Sequence, residues 1–182
     1  VLVGDLKGIR FSKVISFGNG CDLNIADFLE YSWKDPETKI ITAYIEGIKD
    51  GWKFLKLARE AAKTKPLIVW RGGVTDAGAK AAQSHTGALA LPNAMWRAIS
   101  KQCGITNTKS DEELFDFLLA FLHIPVPKGR KVAVISGPGG PAVAAADACA
   151  EMGLELAQLS EETRRMISNI IPPVGTSTRN PV

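Results

Sequence analysis

The alternation of short apolar runs with stretches of helical spacing limits the possible folds of this chain more than any other feature. The runs are rich in β-branched residues, and the stretches between them carry apolar side chains at helical intervals. The predicted strands are Lys13–Phe17, Ile40–Ile45, Pro66–Trp70 and Ile105–Thr108, and the predicted helices are Ile25–Trp33, Gly51–Lys63, Pro92–Cys103 and Asp111–Leu122. Strands that alternate with helices imply a parallel sheet covered on both faces. The sequence therefore predicts an α/β fold in three layers, of flavodoxin-like type.

Local signals predict where several helices begin and end and which side chains face the core. Ser110 and Glu113 have the spacing of a capping box, and Asp22 or Asn24 is suited to cap the helix that follows it. Gly104 stands where a helix is expected to end, and glycine readily takes the conformation of a C-cap. The helical spacing also predicts that Trp52 lies on the apolar side of its helix.

Two prolines and a glycine at residues 125–129 predict a boundary between two domains, because they cannot continue the preceding helix. We assign residues 1–126 to the first domain and residues 127–182 to the start of a second flavodoxin-like domain. The elements predicted in the second domain are a strand at Lys131–Ser136, a glycine turn at 137–141, and helices at Ala142–Met152 and Ser160–Ile170.

Composition and charge exclude several classes of protein. A net charge of +3 without a basic block or a nucleic-acid motif argues against nucleic-acid binding. Apolar runs such as Leu114–Leu122 are too short to cross a membrane, and the first residues lack the layout of a signal peptide. The three cysteines are far apart and show no metal-binding spacing, which indicates reduced thiols, no metal site and a cytoplasmic protein.

His85 is the strongest candidate for a catalytic residue. It lies among small residues beside a glycine, so a phosphoryl group can approach the ring closely. Near pH 7 a histidine of ordinary pKa, about 6.5, is largely neutral and has a free lone pair that can attack phosphorus. The alternative is a solvated or capping histidine in a loop.

The glycine turn at residues 137–141 is a second candidate site. Backbone N–H groups at the start of a helix, uncrowded by side chains, can bind phosphate. The alternative is that these glycines only permit a tight turn from strand to helix, since the sequence has neither a GxGxxG motif nor a P-loop lysine.

Four motifs in order resemble those of the NDP-forming acyl-CoA synthetases, the superfamily of succinyl-CoA synthetase and ADP-forming acetyl-CoA synthetase. They are the family's GFSK-x-S-x-GN pattern at residues 11–19, its DP-x-T turn at 35–38, its Y-x-EG strand end at 44–47 and its SHTGA signature at 84–88. The resemblance extends along nearly the whole chain. It implies an acid–thiol ligase that interconverts acyl-CoA, ADP and phosphate with a carboxylic acid, CoA and ATP.

The resemblance also implies roles for individual residues. His85 would carry the phosphoryl group, and Glu46 would contact it. A carboxylate that accepts the other ring N–H fixes the tautomer and stabilises the positive charge on the ring; the alternative for Glu46 is a solvated residue at a strand end. The residues expected to bind phosphate are Ser84, Thr86 and Gly87 beside the histidine, and Gly137, Gly139 and Gly140 in the glycine turn.

The same resemblance implies that the chain is an internal piece of a larger enzyme. The strand that precedes the family's GFSK region and the continuation after its NPVD motif are missing, so both domains are expected to be truncated. CoA, ATP or ADP, phosphate and Mg²⁺ would be used by the whole enzyme through other domains, with no cofactor bound by this piece. The expected partners are a CoA-binding domain and an ATP-grasp domain, on the same chain or on a partner subunit, with a homo-oligomer also possible.

We therefore expect the isolated chain to be inactive with acyl-CoA. Two alternatives come from other functional classes. One is a non-catalytic, synthetase-like regulatory region of a protein lysine acetyltransferase. The other is a plain flavodoxin-like domain that binds flavin or a nucleotide and forms no phosphohistidine.

Overall fold

The computed structural model describes residues 1–75, 77–80, 91–173 and 176–182. The chain divides into two compact units, Val1–Pro125 and Val126–Val182. The first unit contains helices α1 (Leu2–Leu6), α2 (Ile25–Lys34), α3 (Gly51–Ala61), α4 (Asn93–Cys103) and α5 (Asp111–His123), and strands β1 (Ile41–Ile45), β2 (Leu67–Arg71) and β3 (Thr106–Thr108). The second contains strands β4 (Lys131–Val132) and β5 (Glu155–Leu156) and helices α6 (Gly139–Glu151) and α7 (Glu161–Ser168). Within the described ranges, no helix combines the length and apolar character needed to cross a membrane.

The first unit is built on a parallel sheet with strand order β1-β2-β3, which confirms the predicted α/β class. Alternate side chains point to opposite faces of such a sheet. One face packs against α2, α3 and α4 and includes Ile45, Leu67 and Val69, whereas the other packs Ile68 against Phe115 of α5. Helices on both faces exclude water from much of β1 and β2, which are mainly apolar, whereas the short β3 consists of Thr106, Asn107 and Thr108.

The caps predicted for three helices of the first unit agree with the structure. Of the two candidates, Asn24 caps α2: its side chain accepts a hydrogen bond from the Ala26 N–H, and the Asp27 side chain accepts from the Asn24 N–H. Ser110 caps α5 by accepting from the Glu113 N–H at 3.2 Å. Gly104 ends α4 in the left-handed conformation at φ 73°.

The prediction of a strand at Lys13–Phe17 is wrong, because these residues take no regular structure. A strand is stable only when a neighbour lies about 4.8 Å away and pairs with its backbone. Here the outer edge of β1 and the segment 9–20 together line a cavity of about 620 Å³. Among the residues that the structure describes, the segment therefore has no adjacent strand with which to form a ladder.

Trp52 also differs from its prediction. Its side chain is 84% exposed, although α3 itself forms and buries Phe54 and Ala58. Trp52 is the second residue of α3, so it lies at the end of the helix, where core contact is least. By contrast, Trp96 of α4 is buried in the core.

The second unit has a short parallel sheet of β4 and β5. The sequence predicts a strand at Lys131–Ser136, but only the first two of these residues form one. Beyond them, the Val134 carbonyl accepts from the Val182 N–H at 2.9 Å, so the end of the chain takes the place of a strand partner. The α6 helix begins at Gly139 rather than at Ala142, because residues of the glycine turn form its first turn.

Candidate active site

Glu46 and Gly72 lie side by side at the carboxyl edge of the sheet in the first unit. Glu46 directly follows β1, and Gly72 directly follows β2. The Gly72 N–H donates to the Ile45 carbonyl at 2.9 Å, which extends the parallel ladder by one bond. Ligands of open α/β sheets bind at this edge, where the loops leave the strands. The local fold thus brings Glu46 to the edge at which a ligand is expected.

Tyr44 orients the Glu46 carboxylate. Tyr44 lies on β1 and Glu46 two positions later, just beyond the end of the strand, so their side chains share a face. The Tyr44 hydroxyl donates to Glu46 Oε1 at 3.2 Å. The Tyr44 ring packs on Trp70, with ring centroids 4.9 Å apart. Burial, followed by the charge of Glu46 and this hydrogen bond, raises the pKa of Tyr44 above its ordinary value. Tyr44 therefore remains a hydrogen-bond donor to the carboxylate at neutral pH.

Gly72 makes room for this pair. A Cβ atom at this position would lie 2.5 Å from Tyr44 Oη, 3.1 Å from Tyr44 Cζ and 3.3 Å from Glu46 Cγ. Normal contacts between such atoms are about 3.5 Å or longer. A side chain here would push the tyrosine away from the carboxylate, so the arrangement requires glycine at position 72.

The histidine segment begins a few residues after β2. Thr75 caps a turn of helix at residues 77–80, since its hydroxyl accepts from the Gly78 N–H at 3.1 Å. Ser84, His85, Thr86 and Gly87 lie outside the described residues, and the described chain resumes at Leu91. The contact between Glu46 and His85 therefore stays a prediction.

The predicted glycine turn lies in the second unit and is open to solvent. Gly139 and Gly140 are the first two residues of α6, and Gly137 precedes them. In the part of the chain that the structure describes, no side chain caps this helix start, and a Cβ at any of the three glycines would meet no atom within 4 Å. The first N–H groups of a helix have no partner inside the helix. An oxyanion can therefore approach these N–H groups without steric hindrance, and phosphate binding here stays a prediction.

A cavity of about 620 Å³ runs along the outer edge of β1 as far as Glu46. Ile41 donates to the Pro66 carbonyl and the Ile45 carbonyl accepts from Gly72, so the odd-numbered residues of β1 bond to β2. The backbone groups of Thr42 and Tyr44 consequently point to the opposite edge, into the cavity. Apolar side chains from both helical layers, including Phe28 and Leu118, complete the lining.

Sequence reasoning predicted a role for Glu46 but gave none to Tyr44 and Gly72, which the structure places beside it. The pairing of Tyr44 with Glu46 has a sequence signal, because residues i and i+2 of a strand share a face. The role of Gly72 has none, since it depends on which strand lies beside β1. Trp70 packs against the Tyr44 ring and so supports the residue that donates to Glu46.

Comparisons with known proteins agree on one family. A family model described as the succinyl-CoA ligase like flavodoxin domain matches residues 4–121. Over 97% of its length, the chain is 43% identical to acetate–CoA ligase [ADP-forming] I of Archaeoglobus fulgidus, of which it covers 25%. It is 41% identical, again over 97% of its length, to the alpha subunit of acetate–CoA ligase [ADP-forming] II of Pyrococcus furiosus, of which it covers 38%.

A solved structure gives the same result. The dinucleotide forming acetyl-coenzyme A synthetase 1 of Ca. Korarchaeum cryptofilum, in complex with phosphate and ADP, superposes with a TM-score of 0.91 and 36% identity. The match covers 99% of this chain and 39% of that protein. The chain thus spans between a quarter and two fifths of the length of these relatives.

Proposed function

Because the chain belongs to the family of succinyl-CoA ligase-like flavodoxin domains, we propose that it is the phosphoryl-carrying part of an NDP-forming acid:CoA ligase. The whole enzyme would interconvert acyl-CoA, ADP and phosphate with a carboxylic acid, CoA and ATP. The observation that carries this proposal is the position of Glu46. It is a carboxylate oriented by Tyr44, and it lies beside the strand whose chain continues into the segment of His85.

The proposed chemistry has three transfers. Phosphate attacks the carbonyl carbon of acyl-CoA, the C–S bond breaks, and CoA leaves as the thiolate. A ring nitrogen of His85 then attacks the phosphorus of the acyl phosphate, and the P–O bond to the acyl group breaks with release of the carboxylate. In the last transfer, a β-phosphate oxygen of ADP attacks the phosphohistidine, which forms ATP and returns the free imidazole.

Glu46 stabilises the phosphohistidine in this scheme. The ring becomes positively charged as the N–P bond forms, and a carboxylate that accepts the second ring N–H offsets that charge. The Tyr44 hydroxyl fixes the carboxylate in place, and its raised pKa keeps it a donor. Glu46 is therefore proposed as a catalytic residue and Tyr44 as a positioning residue.

The phosphoryl oxygens would be bound by backbone and hydroxyl donors. We assign this role to Ser84, Thr86 and Gly87 beside the histidine, and to the start of α6 with Gly137, Gly139 and Gly140. The open, uncapped start of α6 supports the second assignment. Phosphoryl transfer depends mainly on positioning and on neutralising charge, and the positive end of a helix contributes to both.

The unpaired edge of β1 supports the expectation that the first domain is incomplete. Buried backbone N–H and C=O groups are nearly always hydrogen-bonded. Those of Thr42 and Tyr44 have no backbone partner among the described residues, and they face a cavity beside the segment 9–20, which has no regular structure. An additional strand in this cavity, from polypeptide outside these residues, would pair with β1 on one side and with the segment 9–20 on the other. The resulting sheet would have the flavodoxin-like order in which Glu46 lies at the crevice between the first and third strands.

The remaining components would come from other parts of the enzyme. CoA, the nucleotide and Mg²⁺ are assigned to a CoA-binding domain and an ATP-grasp domain, on the same chain or on a partner subunit in the cytoplasm. The relatives named above extend well beyond the matched region, which leaves room for such domains. All of them are CoA ligases or synthetases, which favours a ligase over the regulatory alternative.

Phosphorylation of the full-length protein by labelled ATP and Mg²⁺ tests this function. We expect an acid-labile, base-stable label that is lost in His85→Ala and kept in His123→Ala, the variant of the second histidine in the chain. Glu46→Gln should slow labelling about a hundredfold, at the lower end of the contribution of a positioned acid–base group. Absence of label from the full-length wild-type protein, or label that persists in His85→Ala, would contradict the proposal.

A further inference from the structure

Arg71 is a buried cation for which the proposed chemistry has so far given no role. It is the last residue of β2, and its side chain is 6% exposed. Since Ile45 and Arg71 are register partners, Arg71 points to the face covered by α4, opposite to the face of Tyr44 and Glu46. Arg71 and Glu46 therefore lie at the same edge of the sheet without forming an ion pair.

The described residues around Arg71 supply no negative charge to balance its own. Among the described residues no carboxylate pairs with it, and its Nη1 atom is buried without a hydrogen-bond partner. Burial lowers the pKa of the guanidinium, yet arginine remains protonated in proteins. An uncompensated buried charge opposes folding, and its replacement by an apolar residue is often neutral or stabilising. Stability therefore does not explain an arginine at this position.

The contacts that Arg71 does make join two stretches of chain. Its Nη2 atom donates to the carbonyl of Leu91, and its Cζ atom lies 5.9 Å from the ring centroid of Trp96 on α4. A second link joins the same stretches, since the Asn93 side-chain amide donates to the Val74 carbonyl at 3.5 Å. Leu91 follows His85 by six residues in the sequence. Both links therefore fasten the chain that follows His85 to the chain at the end of β2.

We propose that Arg71 is a positioning residue for phosphoryl transfer, which holds the return of the His85 segment at the carboxyl edge of the sheet through the Leu91 carbonyl. This inference rests on the function proposed above. The planar guanidinium can stack on Trp96 and donate to a carbonyl at the same time, which the ammonium group of lysine does less well. Displacement of a reacting group by about 1 Å can reduce a rate about a hundredfold, so a fixed loop end has a direct effect on the rate.

The test compares Arg71→Met and Arg71→Lys with Arg97→Met, which removes an exposed arginine of α4. In the full-length enzyme, Arg71→Met should slow phosphorylation of His85 by ATP between about tenfold and a hundredfold, with the KM for ATP within about twofold of wild type. Arg71→Lys should recover part of this rate, and Arg97→Met should match wild type. The thermal midpoint of Arg71→Met should be unchanged or raised, because a buried charge has been removed.

A chemical reaction separates positioning from loss of structure. Phosphoramidate phosphorylates imidazoles without enzyme. Its rate with His85, followed as label on the peptide that contains His85, should be the same whether Arg71 is retained or replaced in Arg71→Met. An unchanged rate with ATP in Arg71→Met would overturn the inference. A lower thermal midpoint together with a similar slowing of the reactions with ATP and with phosphoramidate would also overturn it, because it would indicate loss of structure. If wild-type protein reacts with phosphoramidate but not with ATP, the proposed function fails instead.

Discussion

Replacement of Gly72 by alanine gives a direct test of how the site is built. The new Cβ would lie 2.5 Å from Tyr44 Oη and 3.3 Å from Glu46 Cγ. Because ordinary contact requires about 3.5 Å, the hydroxyl must move by about 1 Å. Tyr44 is 52% exposed, so its ring can move outward into solvent. We therefore expect Gly72→Ala to fold and to displace Tyr44 from the carboxylate.

The size of the effect follows from the same distances. The hydrogen bond from Tyr44 to Glu46 is 3.2 Å long, and a displacement of about 1 Å lengthens it to about 4 Å, beyond hydrogen-bonding range. Overpacking costs about 1–3 kcal/mol, and we expect about 1 kcal/mol because the tyrosine can yield. The pKa of Tyr44 is raised by burial first, and then by the charge and hydrogen bond of Glu46. All three causes weaken on displacement, so the pKa should fall towards its ordinary value of about 10.

An absorbance titration of the phenol measures this fall. The chain has two tyrosines, so a Tyr31→Phe background leaves Tyr44 as the single phenol. Gly51→Ala is the matched control, since a Cβ at Gly51 would meet no atom within 4 Å. The control should leave the titration of Tyr44 unchanged. A folded Gly72→Ala protein whose Tyr44 titrates as in the parent would refute the close approach of Gly72 and Tyr44.

Three further predictions concern stability. Hydrogen bonds from Lys13 and then Thr38 lower the pKa of Asp35 to about 2. The stabilising effect of the Asp35 carboxylate should therefore be present above about pH 4 and be lost as the pH falls through 2. The difference in urea midpoint between wild type and Asp35→Asn should close over that range. Phe54→Ala should lower the free energy of unfolding by about 3 kcal/mol. This is the lower end of the range for phenylalanine, because Phe54 is 2% exposed but already borders a cavity. Calorimetry measures the loss, and a smaller loss would contradict a core position for Phe54. Gly104→Ala should cost about 1–2 kcal/mol in the same measurement because of its φ of 73°, and an unchanged midpoint would contradict a left-handed C-cap.

The features that the sequence predicted correctly depend on residues close together in the chain. The caps at Asn24 and Ser110 and the helix end at Gly104 each involve residues within a few positions, so the residue types alone determine them. The alternation of strands and helices likewise fixed the α/β class, because each element must bury one face. The pairing of Tyr44 with Glu46 on one face of β1 was also accessible from the sequence, through the period of two in a strand.

Only the tertiary structure decided which distant residues meet. The segment Lys13–Phe17 has the composition of a strand but forms none, because a ladder needs a neighbour that the sequence pattern does not specify. The need for glycine at position 72 follows from β2 lying beside β1, and the burial of Arg71 follows from the packing of α4 on the sheet. The physical reason is that backbone capping acts over a few residues, whereas strand pairing and side-chain packing join residues far apart in sequence. The sequence thus determined the elements and the chemistry they can carry, and the packing of those elements determined the geometry of the site.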